Sequence, residues 1–313
     1  MRALLCPASL KGVLSARRAA AALARGVRGV GGDAVELPIA DGGEGTAEAL
    51  FAVFGGEWRD TVVSDPLGRP VPASWLVLPD GRAVVEAASA IGLPLLAPGE
   101  RDPLVASSRG LGELVLAALE ESPQALVIGL GGSATVDGGA GLREVLRDLP
   151  PPTTALCDVR TTLADAARLF GPQKGAAPAM VPVLERRLAG MEEIAPYAAL
   201  PGAGAAGGLG AALAALGARL VEGAPTVLDL IGFDELLLGC DLVVTGEGQV
   251  DRTTSEGKTP GEVARRCAEA GVRCVVFGGR VVEPVAGTET VSLSGDRANA
   301  ESDLEKLGRR LVP

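Results

Sequence analysis

Four glycine-rich segments stand beside most of the residues that could do chemistry in this chain of 313 residues. These segments are ADGGEGT (40–46), IGLGGSATVDGGAGL (128–142), GAGAAG (202–207) and EGKTP (256–260). The charged candidates are three lysines and five carboxylates: Lys11, Lys174, Lys258, Asp41, Glu44, Asp137, Glu247 and Asp251. Phosphoryl transfer needs a cradle of donors for phosphates, ligands for magnesium, and a group that orients or deprotonates an acceptor hydroxyl. The set of residues therefore favours phosphoryl transfer.

The ADGGEGT segment follows a predicted strand and opens a predicted helix. Free N–H groups and the positive end of the helix dipole meet at such a junction, so a phosphate can bind there. We predict that Gly42, Gly43 and Gly45 contact a cofactor phosphate and that Asp41 and Glu44 bind a magnesium ion beside it. The structural alternative is a turn with a helix cap.

The segment from Ile128 to Leu142 begins as a buried strand and continues as a loop of small residues. Gly131, Gly132, Ser133 and Thr135 would stand at the mouth of this loop with no bulky neighbour, and Asp137 follows them. Small polar side chains in that position predict contacts with a small, oxygen-rich ligand. A purely structural glycine turn is the alternative.

The other two segments match parts of nucleotide-binding motifs but lack the residues or the strand that these motifs require. GAGAAG matches G-x-G-x-x-G, but Pro201 stands where a dinucleotide fold needs a buried strand. EGKTP contains the GKT of a phosphate-binding loop, but Arg252 occupies the place of the required upstream glycine. We therefore predict neither site, and keep Lys258 as a candidate phosphate contact at a helix start.

Composition excludes several classes of protein. The chain has no histidine, which removes Ser-His-Asp and Cys-His catalysis and nearly all zinc enzymes. A formal charge of −10 and 3% aromatic residues argue against a nucleic acid partner. Five cysteines without a C-x-x-C pair suggest neither disulfides nor a zinc site. The first residues, MRALLCPASLKG, resemble neither a signal peptide nor a membrane span, so we expect a cytoplasmic protein that does not contact membranes.

The predicted elements divide the chain into two domains. Both chain ends read as β/α units. Ser15 caps a helix after the first strand, and Thr259 caps another, with Pro260 as its first residue, after the strand CDLVVTGEG. Between them, the region after Thr61 carries short strands and DPLG and PDG turns typical of an antiparallel meander. We predict a Rossmann-like parallel-sheet α/β domain from residues 1–60 and 230–313, with a second α/β domain, 61–229, inserted into it.

Seven segments in this order resemble the class I glycerate kinase family. They are CPASLKGVLSA (6–16), LPIADGGEGTAEAL (37–50), IGLGGSATVDGGAGL (128–142), CDVRTTL (157–163), FGPQKGA (170–176), PGAGAAGGLGAAL (201–213) and DLVVTGEGQVDRTTSEGKTP (241–260). The resemblance implies phosphorylation of D-glycerate with ATP and Mg²⁺ in a cleft between a Rossmann-like domain and an inserted α/β domain. The expected product is 2-phosphoglycerate. A homo-oligomer is left open.

This hypothesis assigns provisional roles. Asp251 is the first choice for the group that orients the acceptor hydroxyl, and Asp137 is the second. Lys11, Lys174 or Arg160 could hold the glycerate carboxylate, while Ser133 and Thr135 bind its hydroxyls. Lys11 is a further candidate catalytic residue. Beside the first glycine loop, the candidates for cofactor contacts are Gly131, Gly132, Ser133, Thr135, Lys174, Gly246, Glu247, Gly248 and Lys258.

Two departures from the family pattern leave alternatives open. The family's CDVDNPL is CDVRTTL here, so Arg160, Thr161 and Thr162 replace Asp, Asn and Pro, and the segment 141–157 is short. The alternatives are a kinase of the same fold acting on another small hydroxy acid, and a ligand-binding homologue without turnover.

Overall fold

The computed structural model describes residues 1–255 and 258–312, which form two compact units. Unit 1 comprises Met1–Asp41, Glu48–Val53 and the chain from Ala224 onward, and unit 2 comprises Gly42–Ala47 and Phe54–Gly223. Unit 1 is thus assembled from both chain ends. The boundaries predicted from the sequence, at residues 60 and 230, lie a few residues beyond these divisions.

The strands are numbered in chain order. They are β1 (Arg2–Pro7), β2 (Asp33–Glu36), β3 (Glu57–Ser64), β4 (Pro70–Val77), β5 (Arg82–Glu86), β6 (Ala125–Gly129), β7 (Thr153–Cys157), β8 (Arg219–Glu222), β9 (Leu242–Val250), β10 (Arg273–Val281) and β11 (Glu289–Ser292).

The helices are numbered in the same way. They are α1 (Ala16–Arg28), α2 (Thr46–Phe54), α3 (Ala87–Ile91), α4 (Arg109–Glu120), α5 (Ala140–Val145), α6 (Leu163–Phe170), α7 (Val181–Ala189), α8 (Ala205–Ala215), α9 (Gly223–Leu230), α10 (Phe233–Leu237), α11 (Arg252–Ser255), α12 (Thr259–Ala270) and α13 (Ala300–Leu311).

Unit 1 is built on a five-stranded sheet with the order β11-β10-β9-β1-β2, in which every pairing is parallel. Helices α1 and α13 share one hydrophobic cluster with the sheet, which includes Leu5, Leu23, Val244 and Leu304. From β1 the chain crosses to β2 on one side, whereas from β9 it crosses to β10 and β11 on the other. The carboxyl ends of β1 and β9 therefore meet at a reversal of strand order, where open α/β sheets bind ligands.

Unit 2 is built on a six-stranded sheet with the order β3-β4-β5-β6-β7-β8. The pairings from β3 to β5 are antiparallel, which confirms the predicted meander, and those from β5 to β8 are parallel. Its core lies around Val85, Leu114, Ile128 and Leu209. The parallel half brings the ends of β6 and β7 together, each followed by one of the motif loops.

Two predicted helix starts were tested. Ser15 is the N-cap of α1, and its hydroxyl accepts a hydrogen bond from the Arg18 amide, as predicted. The predicted cap at Thr259 is wrong by one residue, because Lys258 is the N-cap of α12 and Thr259 is its first helical residue. The carbonyl oxygen of Lys258 accepts the first hydrogen bonds of α12, from the amides of Gly261 and Glu262. The cap is therefore made by the backbone of Lys258 and not by its side chain.

Candidate active site

A cavity of about 590 Å³ lies in unit 1 beyond the carboxyl ends of its strands. This volume is in the range typical of small-molecule sites. Six of the residues predicted from the sequence line it: Lys11, Asp41, Glu247, Gly248, Asp251 and Lys258. Residues that follow β1, β2 and β9 thus converge at the reversal of strand order.

Glu247 is the most buried carboxylate of this group. Its Oε1 accepts a hydrogen bond from Thr254 Oγ1 at 2.8 Å, and its Oε2 lies 3.4 Å from Lys258 Nζ. Burial raises the pKa of Glu247, Lys258 opposes that change, and the nearby charge of Asp41 adds to it. Two carboxylates and one ammonium therefore act on one another inside the cavity.

This arrangement fits a magnesium ion bound together with phosphates. Protein-bound Mg²⁺ is typically held by one or two carboxylates, by phosphate oxygens and by water, so a complete cage of side chains is not required. The described parts of the chain contain no cluster of three or more Cys, Asp or Glu side chains that could hold a metal ion. Asp41 and Glu247 are the pair that unit 1 brings together.

Asp251 follows β9 at the edge of the cavity. Its carboxylate accepts hydrogen bonds from Thr253 Oγ1, from the Thr253 amide at 2.9 Å and from Gln249 Nε2 at 2.8 Å. These bonds, the one from Thr253 Oγ1 above all, lower the pKa of Asp251 to about 2. The group is therefore ionised at neutral pH and suited to accept a hydrogen bond from a substrate hydroxyl.

Lys11 and Lys258 are the lysines that line the cavity. Lys11 lies in the loop after β1, is exposed, and has no ion-pair partner in the part of the chain that the structure describes. Lys258 stands at the amino end of α12, where the helix dipole adds to its charge. Its predicted neighbours Glu256 and Gly257 lie outside the described residues.

The two glycines flanking Glu247 have different surroundings. A Cβ on Gly246 would lie 2.2 Å from the Phe277 carbonyl oxygen, so this glycine permits the close packing of β9 and β10. Gly248 lines the cavity, and its nearest neighbours would be 3.7 Å from such a Cβ. Only Gly248 is therefore placed to contact a ligand.

In unit 2 the first two glycine loops pack directly against each other. A Cβ on Gly131 would lie 2.7 Å from Gly43 Cα, and one on Gly129 would lie 2.7 Å from the Gly42 carbonyl oxygen. A Cβ on Gly42 would in turn lie 2.7 Å from Leu156 Cβ and 2.9 Å from Gly223 Cα. Contacts below 3.0 Å with backbone atoms require glycine, so Gly42 and Gly131 have a structural reason to be glycine beside any role toward a ligand. Gly45 and Gly132 have positive φ angles of 94° and 83°, which glycine adopts without strain.

Lys174 is the centre of a buried polar cluster in unit 2. Its ammonium group donates to Ser133 Oγ at 3.0 Å and to the Thr135 carbonyl at 2.9 Å, and its side chain is almost completely buried. Burial lowers the pKa of Lys174 to about 8, although Asp158 and Asp137 act in the opposite direction. A buried charge of this kind is costly unless an anion compensates it.

Two polar groups of this cluster have hydrogen-bonding capacity that no described residue uses. An ammonium group has three N–H donors, of which Lys174 uses two. Within the described residues, the fully buried Thr135 Oγ1 has no hydrogen-bond partner. A free cationic donor and a free hydroxyl side by side match a small molecule that carries a carboxylate and hydroxyl groups.

Asp137 is held in a dense set of hydrogen bonds. Its Oδ2 accepts from the Ser108 amide at 2.8 Å, from Ser108 Oγ at 2.7 Å and from the Gly141 amide at 3.2 Å, and its Oδ1 accepts from the Gly139 amide at 3.1 Å. The residue is buried. This carboxylate joins the loop after β6 to the start of α4. Its catalytic role stays a prediction, and the geometry favours a positioning role.

Ser108 is a residue of this site that the sequence did not reveal. Its hydroxyl donates to Asp137 and accepts from the Leu142 amide at 3.0 Å. Glu86, at the end of β5, was missed as well: its carboxylate accepts from the Ala47 amide at 2.7 Å and so caps α2 from a distant part of the chain. For both residues, the only signal in the sequence was their position: Ser108 precedes a helix, and Glu86 ends a strand.

The third glycine segment packs tightly against the loop after β6. Ala206, Gly207 and Gly208 all have positive φ angles. A Cβ on Gly207 would lie 2.2 Å from the Thr135 carbonyl oxygen, and the Gly138 amide donates to the Gly207 carbonyl at 3.1 Å. This segment therefore supports the loop that carries Ser133 and Thr135.

Glu44 and Arg160 are the remaining predicted residues. Glu44 is exposed in unit 2, with its Cβ near Gly132. Arg160 is also exposed and forms an ion pair with Glu222, with Nη1 3.1 Å from Oε1. Since the carboxylate of Glu222 already pairs with it, Arg160 is a weaker candidate for anion binding than Lys174.

Comparisons with known proteins identify the family to which the chain is similar. The glycerate kinase family model matches residues 3–147 and 151–300. The chain is 41% identical to glycerate 2-kinase of Escherichia coli over 84% of this chain and 81% of that protein. It is 38% identical to glycerate kinase of Bacillus subtilis over 90% of this chain and 85% of that protein.

A solved structure from Salmonella typhimurium that carries the name glycerate kinase 2 superposes with a TM-score of 0.83 at 33% identity. The superposition covers 99% of this chain and 97% of the chain in that structure. In the described residues of the present chain, no helix has the length and apolar character needed to cross a bilayer. The chain belongs to the glycerate kinase family and is an enzyme of the kinase class.

Proposed function

We propose that this enzyme transfers the terminal phosphoryl group of ATP to a hydroxyl of D-glycerate in a Mg²⁺-dependent reaction that yields 2-phosphoglycerate. The choice of product is supported by the 41% identity to a protein named glycerate 2-kinase. The observation that carries the proposal is the cavity of unit 1, where Lys11, Lys258, Asp41 and Glu247 meet at the reversal of strand order. Phosphoryl transfer depends on such cations and carboxylates for positioning and charge stabilisation.

In unit 1 the proposal assigns the phosphates to Lys11, Lys258 and the amino end of α12. Asp41 and Glu247 would hold Mg²⁺, which when bound neutralises charge on the phosphate oxygens. Asp251 accepts a hydrogen bond from the acceptor hydroxyl and orients it, because its pKa of about 2 makes it a weak base. The sequence-based prediction of Glu44 as a metal ligand stays a prediction.

In unit 2 the proposal assigns the acceptor to the Lys174 cluster. The third N–H of the Lys174 ammonium binds the glycerate carboxylate, and the unpartnered hydroxyl of Thr135 binds a glycerate hydroxyl. Ser133 and the Thr135 carbonyl hold the ammonium in place. The active-site cleft expected from the family resemblance, like a homo-oligomer, stays a prediction.

An acceptor series tests this assignment. Purified protein with ATP and Mg²⁺ is supplied with D-glycerate, with another small hydroxy acid such as glycolate, and with glycerol, and ADP release is followed. We expect turnover with D-glycerate and at least about a hundredfold lower kcat/KM with glycerol, since the lysine then lacks its anion. Glycolate as the better substrate would favour the alternative of a different hydroxy acid. Equal turnover of glycerol would contradict the role of Lys174.

A further inference from the structure

The roles proposed above use only one end of the unit 1 cavity. Its other end is formed by the segment that joins β11 to α13, of which Leu293, Ser294 and Arg297 line the cavity. None of these residues belongs to the charged group near β1 and β9. This second end therefore contacts a different part of any ligand that fills the cavity.

An apolar wall joins this second end to the loop after β1. Leu10 and Ala300 are buried in the hydrophobic cluster of unit 1, and Val13 and Leu293 are half-buried against that cluster while also lining the cavity. Half-buried apolar side chains at a cavity wall leave a surface that a flat, poorly hydrated group can cover.

Internal hydrogen bonds hold the segment itself in place. The amide and hydroxyl of Ser294 donate to Asp303, and Asp296 accepts from the Ala298 amide at 2.9 Å and from Asn299 Nδ2 at 2.8 Å. Both carboxylates are thus occupied within the protein. The segment is a fixed wall, and its cations remain available to a ligand.

Two arginines complete this end. Arg280 and Arg297 line the cavity and are exposed, and neither forms an ion pair within residues 1–255 and 258–312. A guanidinium group is planar and weakly hydrated, and it stacks well on an aromatic ring. An apolar wall and an unpaired guanidinium in the lining of one cavity are a suitable environment for a nucleobase.

The dimensions of the cavity agree with a ligand that reaches both ends. Its lining runs from Asp41, after β2, to Ser292, at the end of β11, across the five strands of the sheet. Four spacings of about 4.8 Å separate β2 from β11, which amounts to about 19 Å. A ligand of that length with a polyanionic end and a flat apolar end has the chemistry of a nucleoside triphosphate.

We propose that Leu10, Val13, Leu293 and Arg297 form the nucleoside subsite of this enzyme, with the base between the apolar wall and the Arg297 guanidinium. This inference rests on the proposed function, in which ATP is the phosphoryl donor. It assigns a role to the β11–α13 segment, which lies outside the motifs that carry the family resemblance.

The test compares ligands with and without a nucleoside. The variants Leu293→Asn and Arg297→Ala are titrated with ADP and with inorganic pyrophosphate, both with Mg²⁺, by isothermal titration calorimetry. Leu238→Asn, at an exposed leucine of unit 1 that does not line the cavity, and Arg17→Ala are the matched controls. Arg297 is exposed, so its variant remains informative if Leu293→Asn folds poorly.

We expect the Kd for ADP to rise about tenfold or more in both cavity variants, while the Kd for pyrophosphate stays within about twofold. In steady-state assays KM for ATP should rise and KM for glycerate should not. Equal weakening of ADP and pyrophosphate, unchanged ADP binding, or no ADP binding by the unmodified protein would each overturn the proposal. Because ADP binding needs no turnover, selective loss of ADP binding in a protein that fails to phosphorylate glycerate would refute the acceptor and leave the nucleoside subsite standing.

Discussion

Replacing Lys174 with methionine should change how the stability of unit 2 depends on pH. In the folded protein the pKa of Lys174 is lowered by burial from 10.5 to about 8. Below pH 8 both folded and unfolded states hold the proton, so the residue contributes no pH dependence there. Between pH 8 and 10.5 the unfolded state binds more protons, and the free energy of unfolding must rise with pH. A shift of about 2.5 units corresponds to about 3 kcal/mol in full, of which about 2.5 kcal/mol is gained between pH 7 and pH 10.

Urea unfolding of the wild type and of Lys174→Met between pH 7 and pH 10 measures this contribution. Both tryptophans, Trp58 and Trp75, lie in unit 2, so their fluorescence reports the unit that contains Lys174. Groups common to both proteins, such as the buried cysteines, cancel in the difference. The difference in unfolding free energy should grow by about 2.5 kcal/mol in favour of the wild type. Lys306→Met, at an exposed lysine, should show no such growth. A constant difference would refute the burial argument.

The same residue predicts how affinity for the acceptor depends on pH. If the Lys174 ammonium binds the glycerate carboxylate, loss of its proton above pH 8 weakens binding. KM for glycerate should then rise toward about tenfold per pH unit above pH 8, with little change in kcat. A KM for glycerate that stays constant up to pH 9.5 would show that Lys174 does not bind the glycerate carboxylate.

Three further substitutions test other parts of the site. Asp251→Asn should lower kcat about a hundredfold with an unchanged melting temperature, and full turnover would remove Asp251 from the chemistry. Gly131→Ala places a Cβ 2.7 Å from backbone and should lower the melting temperature and the activity, whereas Gly99→Ala, with no atom within 4 Å of the added Cβ, should behave like the wild type. Ser108→Ala removes a donor to Asp137 and should lower the free energy of unfolding by about 1 to 3 kcal/mol while the pH profile of kcat keeps its shape. A changed profile would give Asp137 a catalytic role.

The sequence predicted the architecture because each piece of it has a local signal. The apolar runs in β1 and β9 are typical of strands buried in a parallel sheet, and the turns around β4 mark an antiparallel meander. Ser15 was recognisable as a cap because its hydroxyl acts within three residues of its own position. The start of α12 was misplaced by one residue, since Lys258 caps through its backbone and has no sequence signature.

The site was only partly predictable, because its central contacts join distant parts of the chain. The partner of Asp137, Ser108, lies 29 residues away, and Lys174 meets Ser133 across 41 residues. Nothing in the sequence FGPQKGA says that its lysine is buried. The proximity of Asp41 to Glu247 likewise depends on the order of strands in the sheet, whereas the predicted pair Asp41 and Glu44 could be read from one loop.

The most direct test of the proposed function is one reaction of purified protein with ATP, Mg²⁺ and D-glycerate, followed by phosphorus NMR. We expect ADP and 2-phosphoglycerate to appear in equal amounts, and neither to form when D-glycerate is omitted. A product phosphorylated at the 3-hydroxyl would correct the regiochemistry. ADP without any phosphorylated glycerate would contradict the proposal that glycerate is the acceptor.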